Sequence, residues 1–461
     1  MLQYRKNKNT EQLSQLEKIL DASQLQNYLP LYTLFFELNE TNWNSINLDH
    51  SVLTNVVEKE DVLYCNDKPI FFKFSPLLDP LKYLVGAYDT YDFTLPTLTT
   101  SPVVKLSDTN NSSYVDGFFT YLSGKTLEHG FIHGIHFYGS YLGIKHKFHY
   151  NIEDDLEHLE DNEYFHKHRG KLYELNREFS FSNSTKYKPP LVVTDEVIEL
   201  ELDSLDDDGQ STETFSVSDD GMNLNAVIHK FPVHFVAMEK YEDTLDSLLC
   251  DISPEELSSA LMQIIMTLIL YQKVYKFTHN DLHTNNVMWM PTDHEYLYYQ
   301  YNNKCYKVPT FGKLYKIIDF GRAIYTFQNK LFVSDSFHPD GDAATQYNTE
   351  PYFNTEEPRV DPNYSFDLCR LACSIVEGVM DTEGIYSVVH DWCLDDEGLS
   401  VMETPEGFER YPDFELYRMI ALSVHKHTPQ AQLERPEFKQ YESTMVENVM
   451  NLDTFQILSN I

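Results

Sequence analysis

The chain has 461 residues and carries 35 Lys and Arg against 72 Asp and Glu, a formal charge of −37. Lacking clustered cations, it has no electrostatic means of coating DNA or RNA, which excludes nucleic acid as a partner. With 42% hydrophobic and 14% aromatic residues it is too apolar for a disordered chain, and its length allows roughly two or three domains. The six cysteines (Cys65, Cys250, Cys305, Cys369, Cys373, Cys393) form no C-x-x-C pair, as expected of reduced thiols inside a cell. The N-terminus has no apolar signal region, and the longest apolar run, 261–271, is too short to cross a bilayer. A soluble, intracellular protein with no membrane partner is expected.

In chain order, Leu13, Leu16, Leu20, Leu25, Leu29 and Leu31 have helical spacing over 11–38, with Pro30 as a break. Residues 68–74 (K-P-I-F-F-K-F) predict a buried strand, and 112–128 a helix stopped by Gly130. Strands are expected over 136–144 and 231–238. Between them the acidic residues concentrate, chiefly in 153–163 and 196–208, with a strand over 191–202 and a solvated loop over 204–223. Such a run reads as a solvated insertion more readily than as a docking surface for a basic protein partner. Ser253-Pro254-Glu255-Glu256 is a capping box that starts a helix running to Val274. Residues 296–308 predict a hairpin turned at Asn302-Asn303. The eight histidines between His129 and His168 lack metal-ligand spacing, and Asp335, Asp340 and Asp342 lack that of a calcium loop.

The residues that carry chemistry follow the capped helix. The run F-T-H-N-D-L-H-T-N-N spans 277–286, and an apolar strand, 314–318, then ends in Asp319-Phe320-Gly321. This order, H-x-D-x-x-x-x-N and then D-F-G, resembles the catalytic core of the protein kinase superfamily. The resemblance covers roughly 60–150 and 230–380. It implies an α+β, two-lobed kinase-like fold: a helical extension over 1–50, a small β-rich lobe over 51–240 with an acidic insertion at 145–230, and a larger helical lobe over 241–461. It also implies ATP and magnesium as cofactors and transfer of a phosphoryl group to Ser or Thr hydroxyls of a protein substrate.

By the same resemblance, Asp281 would orient the attacking hydroxyl, and Asn286 and Asp319 would hold magnesium. His279 would pack against the D-F-G turn, and Asp367 would brace the catalytic loop. Met238 and Glu239 would lie where the backbone meets adenine, with Val236 near the gatekeeper position. Lys73 would bridge the phosphates, with Lys105 as a second candidate; its partner acid would be Asp116, with Glu128 as the fallback.

Several features depart from the family pattern. No G-x-G-x-x-G precedes Lys73, which weakens the case for phosphate binding by backbone amides. His283 stands where Ser/Thr kinases usually carry Lys. Asn280 replaces the Arg that would pair with a phosphorylated loop, so activity independent of loop phosphorylation is expected. No A-P-E is present. The insertions at 145–230 and 291–313 resemble those of divergent kinases from large cytoplasmic DNA viruses, which would place the protein in host cytoplasm or virion. A small-molecule kinase of the aminoglycoside or choline type and a pseudokinase scaffold remain as alternatives.

Overall fold

The computed structural model describes residues 5–6, 10–48, 53, 56–60, 62–101, 103–179, 223–378, 382–412, 414–444 and 448–455. The strand expected over 191–202 and the acidic loop over 204–222 lie outside the described residues.

The N-terminal leucines do not form one helix. Helix α1 (Thr10–Ile19) carries Glu11 in its first turn and Lys18 in its last, matching the helix dipole. It ends at Asp21, whose φ of 48° leaves the helical region, and the chain continues as strand β1 (Ala22–Gln26). Gln24 also takes a positive φ, 57°, where the pairing register shifts between Ser23 and Gln26. Leu25, Leu29 and Leu31 are buried as in a helix, but by a sheet edge and the 3-10 turn Pro30–Leu34. Residues expected to be a purely helical extension thus contribute a strand to the main sheet.

That sheet is seven-stranded and antiparallel. Strands β2 (Val56–Lys59), β3 (Val62–Cys65) and β4 (Lys68–Pro76) follow one another as neighbours. After helix α2 (Ser112–Lys125) come the long strands β5 (Phe137–Asn151) and β6 (Asn225–Glu239). Strand β6 inserts between β4 and β5, and β1 pairs with the far side of β5. The short strand Tyr173–Leu175 adds to β6. The strands run well into the region expected as an insertion, because Lys145–Asn151 and Asn225–Lys230 keep pairing. The insertion proper starts near Ile152, with two short helices, Leu156–Glu160 and Glu163–His168.

The second half is built on helix α3 (Pro254–Tyr275). Ser253 Oγ accepts the Glu256 N–H at 3.2 Å, Pro254 occupies the first turn, and Lys276 at φ 52° ends the helix. At 22 residues α3 is long and apolar enough to cross a bilayer, unlike the 261–271 run considered alone. However, 89% of its most apolar window is buried inside the protein, as befits a helix that is hydrophobic all round.

Strands β7 (Val287–Pro291) and β10 (Lys313–Ile317) pair beneath the helix, flanking the hairpin of β8 (Tyr296–Tyr301) and β9 (Lys304–Pro309). The hairpin turns on Asn302 and Asn303, at φ 49° and 58°, as its Asn-Asn sequence predicts. The Asp453 carboxylate accepts both turn amides, at 2.7 and 2.9 Å. Helices α4 (Phe366–Gly378), α5 (Ile385–Trp392) and α6 (Glu415–Ser423) complete this half.

Phe119 of α2 joins the two halves. Its ring centroid lies 4.3 Å from Phe277, 4.7 Å from Phe320 and 4.8 Å from Tyr325. The segment after α2 is equally dry. His133 meets the Tyr315 carbonyl at 2.8 Å and the Tyr299 hydroxyl at 2.6 Å, which fixes its tautomer as Nδ1–H.

Burial lowers both His133 and His234 from 6.5 to about 4. Between those limits the unfolded chain binds more protons, so stability falls as pH drops from 6.5 towards 4. Over pH 6.5 to 5 the expected loss is roughly 1–2 kcal/mol per histidine. Urea melts should show it, with the pH dependence reduced in His133→Gln; identical dependence in wild type and variant would refute it.

Candidate active site

Strand β4, helix α2 and the turn after β10 converge on one ammonium. Lys73 Nζ lies 2.8 Å from Asp116 Oδ2 and 2.8 Å from Asp319 Oδ1, with all three side chains buried. Burial alone would lower the Lys73 pKa; the two carboxylates outweigh it and hold Lys73 above the usual lysine range, so it stays charged. Asp116 Oδ1 also accepts the Phe320 N–H at 2.8 Å, which fixes the turn carrying Asp319. Asp319 itself sits at φ 61°, a conformation that Asp adopts more readily than most residues.

The loop after α3 is tied down on two sides. The Asp367 carboxylate, at the start of α4, accepts the His279 N–H at 3.1 and 2.9 Å and the Asn280 N–H at 2.9 Å. His279 Nε2 meets the Ile318 carbonyl at 2.8 Å, and its ring lies 5.7 Å from Phe320, so this histidine packs against the D-F-G turn. The Ile318 N–H in turn donates to the Asn286 carbonyl at 3.0 Å. The Asn286 amide nitrogen lies 2.9 Å from the Asp281 carbonyl and 3.1 Å from His283 Nε2, which leaves Oδ1 as the oxygen a cation would meet.

Asp281 is buried. Burial raises its pKa, but Arg322 and Arg370 together with the Tyr417 hydroxyl outweigh it and hold the carboxyl below its ordinary value. Asp281 is therefore ionised at neutral pH. His283 is lowered by burial, against the opposing pull of Asp281, so it is neutral there.

Asn280, at φ 67°, builds a neutral network. Its amide donates to Thr278 O at 3.2 Å and Arg322 O at 2.8 Å, while its Oδ1 accepts the Tyr347 hydroxyl at 2.8 Å. Positive charge comes instead from Arg322, 3.5 Å from Asp281 Oδ2 and 3.1 Å from Asp342 Oδ2. Asp342 thus has a place that its sequence context did not suggest. Arg322 was missed too, although its position directly after D-F-G was a usable signal. Tyr417 carried no signal, because α6 lies far along the chain from Asp281.

Other candidates fall elsewhere. Lys105 pairs with Asp335 at 2.5 Å, and Glu128 pairs with Lys125 at 2.6 Å, both away from Lys73. Val236 and Met238 are buried on β6, with Val236 opposite Lys73 in register. Glu239 binds Lys316 at 2.5 Å through its carboxylate and donates its own N–H to the His136 carbonyl at 3.0 Å. Its amide is therefore committed to the sheet, and adenine recognition by that N–H is not supported. Only positions 60 and 61 separate β2 from β3, whose Lys59 and Val62 pair across them.

Among the described residues, no group of three or more His, Cys, Asp or Glu side chains is placed to hold a metal. Asp319 and Asn286 together offer hard oxygens that suit magnesium only if a ligand's phosphates complete the shell.

No protein-family model matches the chain. Over 194 residues it is 28% identical to a protein of Acanthamoeba polyphaga mimivirus. That protein is named, provisionally, a serine/threonine-protein kinase. The match takes in 35% of this chain and 48% of the relative, so the chain spans about half the relative's length.

Asp367→Ala would leave two buried amides without acceptors, at about 1–3 kcal/mol each. A loss of roughly 2–5 kcal/mol in urea unfolding is expected, with Asp367→Asn losing less because one acceptor oxygen remains. Equal losses in the two variants would argue against this bracing role.

Proposed function

We propose that the protein is an ATP- and magnesium-dependent phosphotransferase of kinase-like, two-lobed α+β fold, acting on Ser or Thr hydroxyls of proteins. One observation carries the reading: Lys73 is held by Asp116 and Asp319 at 2.8 Å each, beside the loop that bears Asp281 and Asn286. The sheet lends support. Leaving aside the edge strand β1, Lys73 lies on the third strand, Asp116 on the first long helix after it, and two long strands follow. The similarity to the mimivirus protein points the same way.

In this reading Lys73 binds the nucleotide's phosphates, and Asp319 and Asn286 hold magnesium by their oxygens. Magnesium, when bound, neutralises charge on the phosphates. Asp281, already ionised, orients the acceptor hydroxyl and takes its proton. Neutral His283, whose Nε2 accepts the Asn286 amide, supplies no charge, so fixed positive charge at the phosphates rests on Lys73. The chain turns from β2 into β3 within two positions, too few to wrap phosphates with backbone amides, so weak ATP affinity is expected. That turn is also the observation that favours the scaffold alternative.

The test is ATP turnover with generic protein acceptors and with a panel of amino-alcohols, in magnesium or in EDTA. Wild type should turn over only with magnesium and label protein. Asp281→Asn should lose at least about a hundredfold, and Lys73→Met a comparable amount. Background rates in all three would sink the enzyme reading, and label on small molecules alone would redirect it.

A further inference from the structure

Asp281 is held by a residue that the kinase-like pattern does not contain. The Tyr417 hydroxyl, on α6, lies 2.7 Å from Asp281 Oδ1, and Arg370 Nε of α4 lies 2.9 Å from the same hydroxyl. The direction of both bonds follows from elementary chemistry. A guanidinium only donates, so the tyrosine oxygen accepts from Arg370, and its single proton must go to Asp281. Burial pushes the Tyr417 hydroxyl up to about 12, so that proton is present throughout the physiological range.

The ring is as constrained as the hydroxyl. The Arg322 and Arg370 guanidinium carbons lie 5.4 and 5.1 Å from its centroid, and Phe414 stacks on it at 5.2 Å with an interplanar angle of 10°. Tyr417 is 4% exposed. A donor so placed engages one carboxylate oxygen, Oδ1. The other, Oδ2, has among the described residues the looser contact to Arg322 at 3.5 Å.

We propose that Tyr417 is the positioning residue for Asp281: clamped by Arg370, it engages Oδ1 so that Oδ2 is the oxygen turned to the acceptor hydroxyl. This rests on the phosphotransferase reading above. In the transfer step, the bond between the acceptor oxygen and Pγ forms while that between Pγ and the β-bridging oxygen breaks. The acceptor's proton passes to Asp281 Oδ2, and ADP leaves. Tyr417 keeps its own proton throughout. Arg370 acts one step further back, by holding Tyr417.

The experiment compares wild type, Tyr417→Phe, Asp281→Asn and the double variant in magnesium-dependent labelling of a generic protein. Removing one hydrogen bond to a charged group should lower kcat by about 10- to 100-fold while KM for ATP changes by less than about twofold. In the Asp281→Asn background the same substitution should change nothing further, because the oxygen it aims no longer acts as the base. Arg370→Met should lower kcat in the wild type but not in Tyr417→Phe, and it reads the same chain of contacts if Tyr417→Phe proves unstable in a thermal melt.

Equal losses in the wild-type and Asp281→Asn backgrounds would overturn the proposal by making Tyr417 a purely structural residue. A rise in rate on Tyr417→Phe would overturn it differently, by showing that the tyrosine blocks the acceptor's position. Magnesium-dependent turnover by wild type with no change in Tyr417→Phe would overturn this inference alone. Absence of turnover in wild type would overturn the phosphotransferase reading and this one with it.

Discussion

The arrangement around the site depends on one buried ammonium between two buried carboxylates. Lys73 and Asp319 are 246 positions apart, and Asp116 comes from a third segment. Taking three charges out of water is costly, and replacement by apolar side chains would often be no worse for stability. What apolar packing would not supply is a fixed positive charge at a defined point between a sheet, a helix and a turn. The overall charge of −37 bears on this only indirectly. An acidic surface says nothing of a dry site, where the sign of the local field is set by groups within a few ångströms.

A second pattern is the division of labour between neutral and charged contacts. The loop bearing Asp281 is anchored through backbone amides to Asp367 and through the neutral amide of Asn280. The cation paired with the loop is Arg322, which touches both Asp281 and Asp342. A carboxylate carried in the sequence therefore meets the arginine here, so this contact needs no added phosphate. Asn280 accepts a hydroxyl from Tyr347 where a cation would require an anion.

How much of this was legible in the sequence depended on the range of the interaction. Asp281, Asn286, Asp319 and Asp367 were readable because short motifs fix their spacing. The Asn302-Asn303 hairpin was readable because few residues tolerate two successive positive φ values. In the sequence, Lys73 stands above Lys105 only by its more apolar strand; the ion pairs separate the two, since Lys105 meets Asp335 instead. The N-terminal leucines misled because an edge strand entered at positive-φ Asp21 and kinked at Gln24 buries nearly the same set as a helix would. Tyr417 was invisible: 136 positions separate it from Asp281, and only the packing of α6 against α4 brings it there. Periodicity reports which face of an element is buried, but not which distant hydroxyl meets a carboxylate.

Helix α2 shows how the fold keeps the central ion pair assembled. Beside Asp116 stands Gly117, where a Cβ would come within 2.3 Å of the His234 ring and 3.1 Å of Val236. Glycine inside a helix costs about 1 kcal/mol relative to alanine. Here it lets α2 lie close against β6, the strand that pairs with β4, so that Asp116 reaches Lys73 across a short gap. Phe35 of the N-terminal segment also packs near Phe118 at 5.3 Å and reaches Phe327 and Phe332 beyond the D-F-G turn. The same segment thus packs against the helix that carries Asp116 and against the chain that follows Asp319. The pairing of Lys73 with both carboxylates follows from packing already complete in the chain itself.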